Sequence, residues 1–352
     1  MGQTHIATFE LEFHLGGLSN ALQASQLLSK GGIVNKSIQI AELRMQLAEL
    51  DLKKDEQAIK FLVISNYLDI YKLYNQLKVY KQNKKLAQIR LENLTKMSEE
   101  QMITRNELIR AELLIKNIEQ AILTLNNNLA ILSNQMSYAL GLPQNILIVP
   151  TEQIDNKTVD SLDKCIEMAH LQHQALATAT TNINLAKKSI DISKAEYYPT
   201  IAAFAGYNMQ RPMTSVQPAV DLYAKSWQSG ISVSFNIDNL YKTKQKIRLG
   251  EQQGKIAEEA FVLIEQNVNI GVYAAYTKYQ EALKQSEIMT EAKKLATENY
   301  NIVEAKYLNQ LAITAEMTDA ANARLEAELQ HINSTITVLF QYYNLIKSTG
   351  TL

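Results

Sequence analysis

Cysteine, tryptophan, proline and glycine are all scarce in this chain, at 1, 1, 5 and 12 of its 352 residues. A single cysteine, Cys165, excludes an internal disulfide and any multi-cysteine metal site, and it reads as a small buried residue rather than a reactive thiol. So few turn-formers leave room for long, uninterrupted helices. Charge of one sign is missing too: 35 Lys+Arg stand against 36 Asp+Glu, so no basic excess points to nucleic acid and no block of like charge forms a tail. No run of 18 apolar residues is present, so no transmembrane helix is expected. The opening Met-Gly-Gln-Thr-His-Ile has no basic stretch followed by an apolar one and is not a signal peptide. A phosphate loop, a nucleophile–base pair and a metal-ligand cluster are all lacking. These absences argue against an enzyme and imply no cofactor.

What the chain does have is a heptad seam that occurs twice. Leu108, Ala111, Ile115, Ile118, Ile122, Leu125, Leu129, Leu132, Met136 and Ala139 alternate three and four apart, the spacing of a helix packed along its whole length. Adding 209 to a residue number finds the copy: Ile38 falls on Ile247, Gln57 on Gln266, Val63 on Val272, Tyr67 on Tyr276, Glu107 on Glu316, Ala111 on Ala320 and Gly141 on Gly350. A constant offset over about 110 residues means one long helical hairpin, duplicated.

In chain order, residues 4–15 alternate, with Phe9, Leu11, Phe13 and Leu15 against Thr8, Glu10, Glu12 and His14, and predict a strand. Gly16-Gly17 signals a turn into a weaker second strand over 18–28. Residues 1–30 are therefore a first β-hairpin and 31–143 a first long helical hairpin. Its outgoing helix, from Asn35 to about Met97, is roughly 95 Å long at 1.5 Å per residue. It carries two seams: Ile40, Leu43, Leu47, Leu50, Lys54, Gln57, Phe61, Ile64, Leu68, Tyr71, and Ile59, Val63, Asn66, Ile70, Leu73, Leu77, Tyr80. Two seams demand neighbours on both flanks, as in a ring or barrel of helices. The tyrosines Tyr67, Tyr71, Tyr74 and Tyr80 read as packing between helices, not as a stacking platform for bases. Thr104 and Glu107 fit a capping box opening the return helix, which Gly141-Leu142-Pro143 stops. A connector (144–158), one helix (159–198) ending before Pro199, a second β-hairpin (199–238) and a second helical hairpin (239–352) complete the chain. In Trp227–Ile237 the large apolar Ile231, Val233, Phe235 and Ile237 alternate with Gly230, Ser232, Ser234 and Asn236, and small polar residues suit a water-filled lumen. By internal symmetry a helix of about 40 residues is expected before residue 4. The fold class is mainly α with a small β part.

At this point the layout resembles the TolC-like outer-membrane factor (outer membrane efflux protein) family. The resemblance rests on the duplicated strand pair and long hairpin, on Ala195-Glu-Tyr-Tyr-Pro-Thr200 entering a strand, on Leu140-Gly-Leu-Pro143, and on Gln101…Glu107…Ala111 repeated as Gln310…Glu316…Ala320. It covers essentially the whole chain. It implies a homotrimer whose four strands per subunit close a β-barrel in outer-membrane lipid, and whose helices form an α-barrel extending into the periplasm. The implied function is a passive exit duct of a tripartite efflux or type I secretion system, docking a periplasmic adaptor protein and an inner-membrane transporter. Where the family usually has glycine at the two turns, this chain has Gln101 and Gln310, and a family arginine falls on Ala312.

The resemblance also assigns residues. Glu316 and Asp319 match a pair of acids at the periplasmic entrance, two carboxylate rings in a trimer. Tyr307 and Glu107 match a tyrosine-to-acid link that holds the entrance closed. Gln101, Met102, Thr104, Gln310, Leu311 and Thr314 lie at the tips where an adaptor would dock. Trp227, Tyr207 and Tyr223, at strand ends, fit an aromatic belt. His170 and His173 read as surface histidines rather than metal ligands; His5 has no partner in view. The competing reading is a soluble, elongated coiled-coil scaffold without a pore, which has no need of Phe9–Phe13 or Ile231–Phe235.

Overall fold

The computed structural model describes residues 6–14, 17–144, 146–151, 159–212, 220–309 and 311–352, with side chains from residue 19 onward. It divides into two units, residues 1–51 with 175–264 and residues 52–174 with 265–352. His5, Leu15, Gly16, Asp155, Asn156 and Gln310 lie outside the described residues, as do the side chains of the first strand.

In the first unit, β1 (Ile6–His14), β2 (Gly17–Ser29), β3 (Thr200–Arg211) and β4 (Ala224–Ser234) form one antiparallel sheet in the order β1-β2-β3-β4. The two expected hairpins are thus joined through β2 and β3. Direct pairing of Leu22 with Tyr207 and Tyr207 with Trp227, and of Ala24 with Ala205 and Ala205 with Ser229, fixes which residues share a face. One face carries Leu22, Ala24, Ile201, Ala203, Ala205, Tyr207, Trp227, Ile231 and Val233, with the polar Asn20, Gln26 and Ser229 among them. The other carries Gln23, Ser25, Asn208, Gln228 and Ser232, plus Phe204, whose ring lies over Gly230 where a Cβ would come within 3.2 Å.

The sheet meets its helices at a tight joint. Gly31 precedes α1 (Ile33–Glu99) with φ +55°, and a Cβ there would sit 2.7 Å from the Tyr198 ring and 2.9 Å from the Ala195 carbonyl. Only glycine satisfies both conditions. Ala195, fully buried, ends α4 (Gln174–Ala195). The Glu196 carbonyl accepts from Asn239 Nδ2 (3.1 Å) at the start of α5 (Asn239–Leu308), and its carboxylate takes Lys246 Nζ at 2.6 Å. Strand β4 ends at Ser234, before the apolar alternation does. Asn236 Oδ1 accepts the Asp238 N–H (3.1 Å), an Asx turn that diverts the chain into α5, with Lys242 paired to Asp238.

In the second unit the two seams of α1 find two partners. Ile70, Leu77, Val63, Leu73 and Tyr80 pack with Ile122, Leu125, Leu129, Leu132 and Met136 of α2 (Arg105–Leu140). Ile64, Leu68 and Tyr71 pack with Ile332, Ile336, Leu339, Phe340 and Tyr343 of α6 (Thr314–Ser348). The Phe61 and Phe340 rings lie 5.6 Å apart, and Lys347 Nζ sits 4.4 Å from the Phe61 ring. The tyrosines of α1 are spent on these contacts.

The duplication holds at the hydrogen-bond level. Met102 N–H donates to the Met97 carbonyl and Leu311 N–H to the Lys306 carbonyl, both at 2.8 Å. At the other helix ends Leu142 N–H donates to Ser137 O (2.9 Å) and Thr351 N–H to Ile346 O (3.2 Å), with Gly141 and Gly350 both left-handed. Each pair is one bond seen twice, 209 residues apart.

The expected single helix over 159–198 is two, α3 (Leu162–Gln172) and α4, broken at an extended His173 (ψ 120°). Gly350 packs directly against the break. Its α-carbon is so close to Gln172 and His173 that a Cβ would meet the His173 Cα at 2.8 Å, and its carbonyl accepts from Gln174 Nε2 at 3.3 Å. Cys165 is buried as expected, and burial pushes its thiol pKa up.

Candidate gate at the hairpin ends

The α1–α2 turn begins with Gln101 at φ +62°, a left-handed residue without glycine's freedom. The Thr104 N–H donates to Glu107 Oε2 at 3.1 Å, closing the capping box that starts α2. In the second hairpin the N-cap is Ile313, which has no side-chain oxygen to offer. Instead Thr314 Oγ1 donates to Glu107 Oε1 at 3.2 Å. One carboxylate therefore caps α2 with one oxygen and holds the start of α6 with the other.

This arrangement corrects two expectations. The Tyr307–Glu107 link is not made: both Glu107 oxygens are occupied, and the Tyr307 hydroxyl is shut off from solvent with no hydrogen-bond partner among the described residues. Thr314 is not an exposed docking residue; at 7 % exposure it is buried by its contact with the first hairpin. Gln101, Met102, Thr104 and Leu311 are exposed, as are Glu316 and Asp319.

Behind the turns lies a cleft of about 420 Å³, lined by Met97, Met102 and Met317 with Arg90, Tyr300 and Tyr307. Tyr300, on α5, is the anchor that periodicity did not reveal. It is buried, with the Arg324 guanidinium 4.6 Å and that of Arg90 6.0 Å from its ring centroid. Its hydroxyl accepts from Arg90 Nη2 (3.2 Å) and donates to Glu304 Oε1 (2.8 Å). Burial, then the Glu304 hydrogen bond, pushes the phenol pKa up. Glu328 accepts from Arg324 Nε (2.9 Å) and Asn83 Nδ2 (3.2 Å), so α1, α5 and α6 are tied by one polar network. No sequence signal marks it, because its burial and its two arginines arise only in the fold.

In the sheet unit, the Tyr207 and Trp227 rings pair across strands at 4.7 Å. Tyr223 stands apart from them, beneath the Arg211 guanidinium (5.1 Å), which also grips Asp221 at 2.8 and 3.0 Å. His170 Nε2 pairs with Asn269 Oδ1 at 2.8 Å and Nδ1 lies 3.5 Å from Glu265, whereas His173 sits in the α3–α4 break; the two do not converge.

Among the described residues no helix is long and apolar enough to cross a membrane. Duplicated long hairpins with a four-stranded antiparallel sheet define the fold of outer-membrane channel subunits. The outer-membrane channel OprN is similar at TM-score 0.80 and 11% identity, over 99% of this chain and 81% of that one. VceC from Vibrio cholerae, an outer membrane protein, is similar at 0.76 and 12% over 99% and 86%. The MtrE outer membrane channel of Neisseria gonorrhoeae is similar at 0.78 and 13% over 99% and 80%. Residues 165–351 match the outer membrane efflux protein family, and the chain belongs to it. No curated protein matches the chain.

Proposed function

We propose that this protein is the outer-membrane exit duct of an efflux or secretion assembly, acting passively as a homotrimer with no catalytic step. The observation that carries the reading is the two-faced sheet. Trp227, Ile231 and Val233 are 82 %, 68 % and 67 % exposed on the face they share with Leu22 and Tyr207, while Gln23, Asn208 and Gln228 occupy the other. A water-soluble sheet buries its apolar face; a membrane barrel turns it to lipid and keeps polar groups inside. Strands β1 and β4 are the outer strands of the described sheet, and open edges are not tolerated in lipid. Neighbouring copies resolve this by pairing β4 with the next β1. Trp227 and Tyr207 then form part of an aromatic girdle.

On this reading the hairpin ends face the periplasm. Glu316 and Asp319 line the entrance and favour cations. The exposed Gln101, Met102, Thr104 and Leu311 meet the adaptor, with the inner-membrane transporter beyond it. The Glu107–Thr314 bond and the Tyr300 network hold the hairpins in the closed arrangement. The test is reconstitution of detergent-purified protein into planar lipid bilayers. Discrete conductance steps, reduced by multivalent cations added on the entrance side, are expected. Full solubility in buffer without detergent, together with no conductance, overturns the proposal.

A further inference from the structure

We infer that the face joining one copy of this chain to the next is built from Gln266, Ile270 and Tyr273 of α5 against Leu123, Ile131, Tyr138 and Gly141 of α2 in the neighbouring copy. The inference rests on the homotrimer reading above and deepens it.

The internal repeat supplies the template. Within one chain, the outgoing helix of the first hairpin packs on the return helix of the second through Phe61, Ile64 and Leu68 against Ile332 and Phe340. The same seam is closed at its end by Gln57 Nε2, which donates to the Gly350 carbonyl at 2.7 Å. The offset of 209 is exact in the backbone bonds at both ends of the return helices. No break interrupts α1 or α5, so the register carries along both. Shifting the template by one repeat turns Phe61, Ile64 and Gln57 into Ile270, Tyr273 and Gln266. It turns Ile332, Phe340, Lys347 and Gly350 into Leu123, Ile131, Tyr138 and Gly141, while the buried centre of the template, Leu68, Ile336 and Leu339, becomes Thr277, Asn127 and Ala130, so the shifted seam is apolar at its flanks and polar or small between them.

Every apolar member of the shifted set stands in the open. Ile270 is 66 % and Ile131 is 56 % exposed, and Tyr273, Leu123 and Tyr138 are exposed with them. Gly350 is crowded by backbone, but around Gly141 there is nothing within 4 Å of a Cβ position. Gln266 is exposed too. In one chain, the second hairpin's outgoing helix and the first hairpin's return helix each present the half of a seam whose counterpart is filled. A second copy of this chain is the occupant that presents the complementary half of this seam at the matching spacing. Ile270 then rests on the partner's Ile131, and the Gln266 amide donates to the carbonyl of the partner's Gly141.

The test is cross-linking of the full chain purified in detergent, alongside its native mass. In the double variant Ile131→Cys, Ile270→Cys, a short bis-maleimide should convert most of the protein to a covalent trimer on denaturing gels. Co-expressed single variants should stop at the dimer. The control Ile131→Cys, Ile288→Cys moves one thiol 18 residues along α5, roughly 27 Å, and should stay monomeric, as should the parent with its buried Cys165. A native trimer whose 131/270 pair stays monomeric, or whose control pair links equally well, overturns this seam and leaves the trimer standing. A native monomer overturns both.

Discussion

Replacing Thr314 with valine removes one hydroxyl and almost no volume, at a site buried to 7 % exposure. The loss is the 3.2 Å bond to Glu107 Oε1. The cap of α2 survives, because Glu107 keeps the Thr104 N–H on its other oxygen. A hydrogen bond to a charged group contributes about 1.5–3 kcal/mol net. At 1.4 kcal/mol per decade that is a factor of roughly 10–150 in the ratio of held to released hairpin in each subunit. The variant should therefore fold normally, spend more time in high-conductance states in bilayers, and exchange the amides of residues 311–318 at least tenfold faster. A cycle with Glu107→Ala isolates the pair from the lost cap, and the coupling should reach at least about 1 kcal/mol, inside the range of about 0.5–3 kcal/mol found for contacting residues. If Thr314→Val leaves conductance unchanged and exchange within twofold, the bond does not hold the hairpins and the reasoning is wrong.

Gln101→Gly relieves a left-handed residue and should stabilise the first turn by about 1 kcal/mol, seen as roughly fivefold slower amide exchange over 98–104. Gly31→Ala should sharply reduce folded protein, because its Cβ meets Tyr198 and the Ala195 backbone, whereas Gly32→Ala, with only Lys36 Cε at 4.0 Å, should cost just the strain of its positive φ; thermal melts compare them. Tyr300→Phe keeps the ring beside Arg90 and Arg324 but strands Arg90 Nη2 and Glu304, and should raise open probability less than Tyr300→Ala does. Burial holds the His173 pKa below the ordinary imidazole value. The unfolded chain then binds the extra proton first as pH falls below about 6.5, so this histidine's stabilising contribution is present above that pH and declines on acidification. His173→Gln should flatten that decline in urea titrations.

Much of this fold was legible because it is periodic. Two heptad registers on α1 demanded two neighbours, and α2 and α6 are those neighbours. Thr104 with Glu107, and Gly141, mark helix ends through local chemistry that any sequence displays. What escaped was set by distant residues. Nothing near His173 breaks a helix; Gly350, far along the chain, presses on it. Thr314 reads as a docking residue at the tip until the first hairpin covers it. Tyr300 is one tyrosine in a heptad of α5, and only folding brings Arg90 and Arg324 to its ring. The family's tyrosine-to-acid link was transferred to Tyr307 and Glu107 by position, but the carboxylate was already engaged by Thr314.

The shared Glu107 carboxylate makes the two tips unequal partners. The first owns its fastening outright, while the second borrows, having Ile313 where its twin has Thr104. Any pull that parts them leaves the first turn of α2 wound and the first turn of α6 bare. Unzipping should accordingly begin at the second hairpin, and a single acidic side chain decides when.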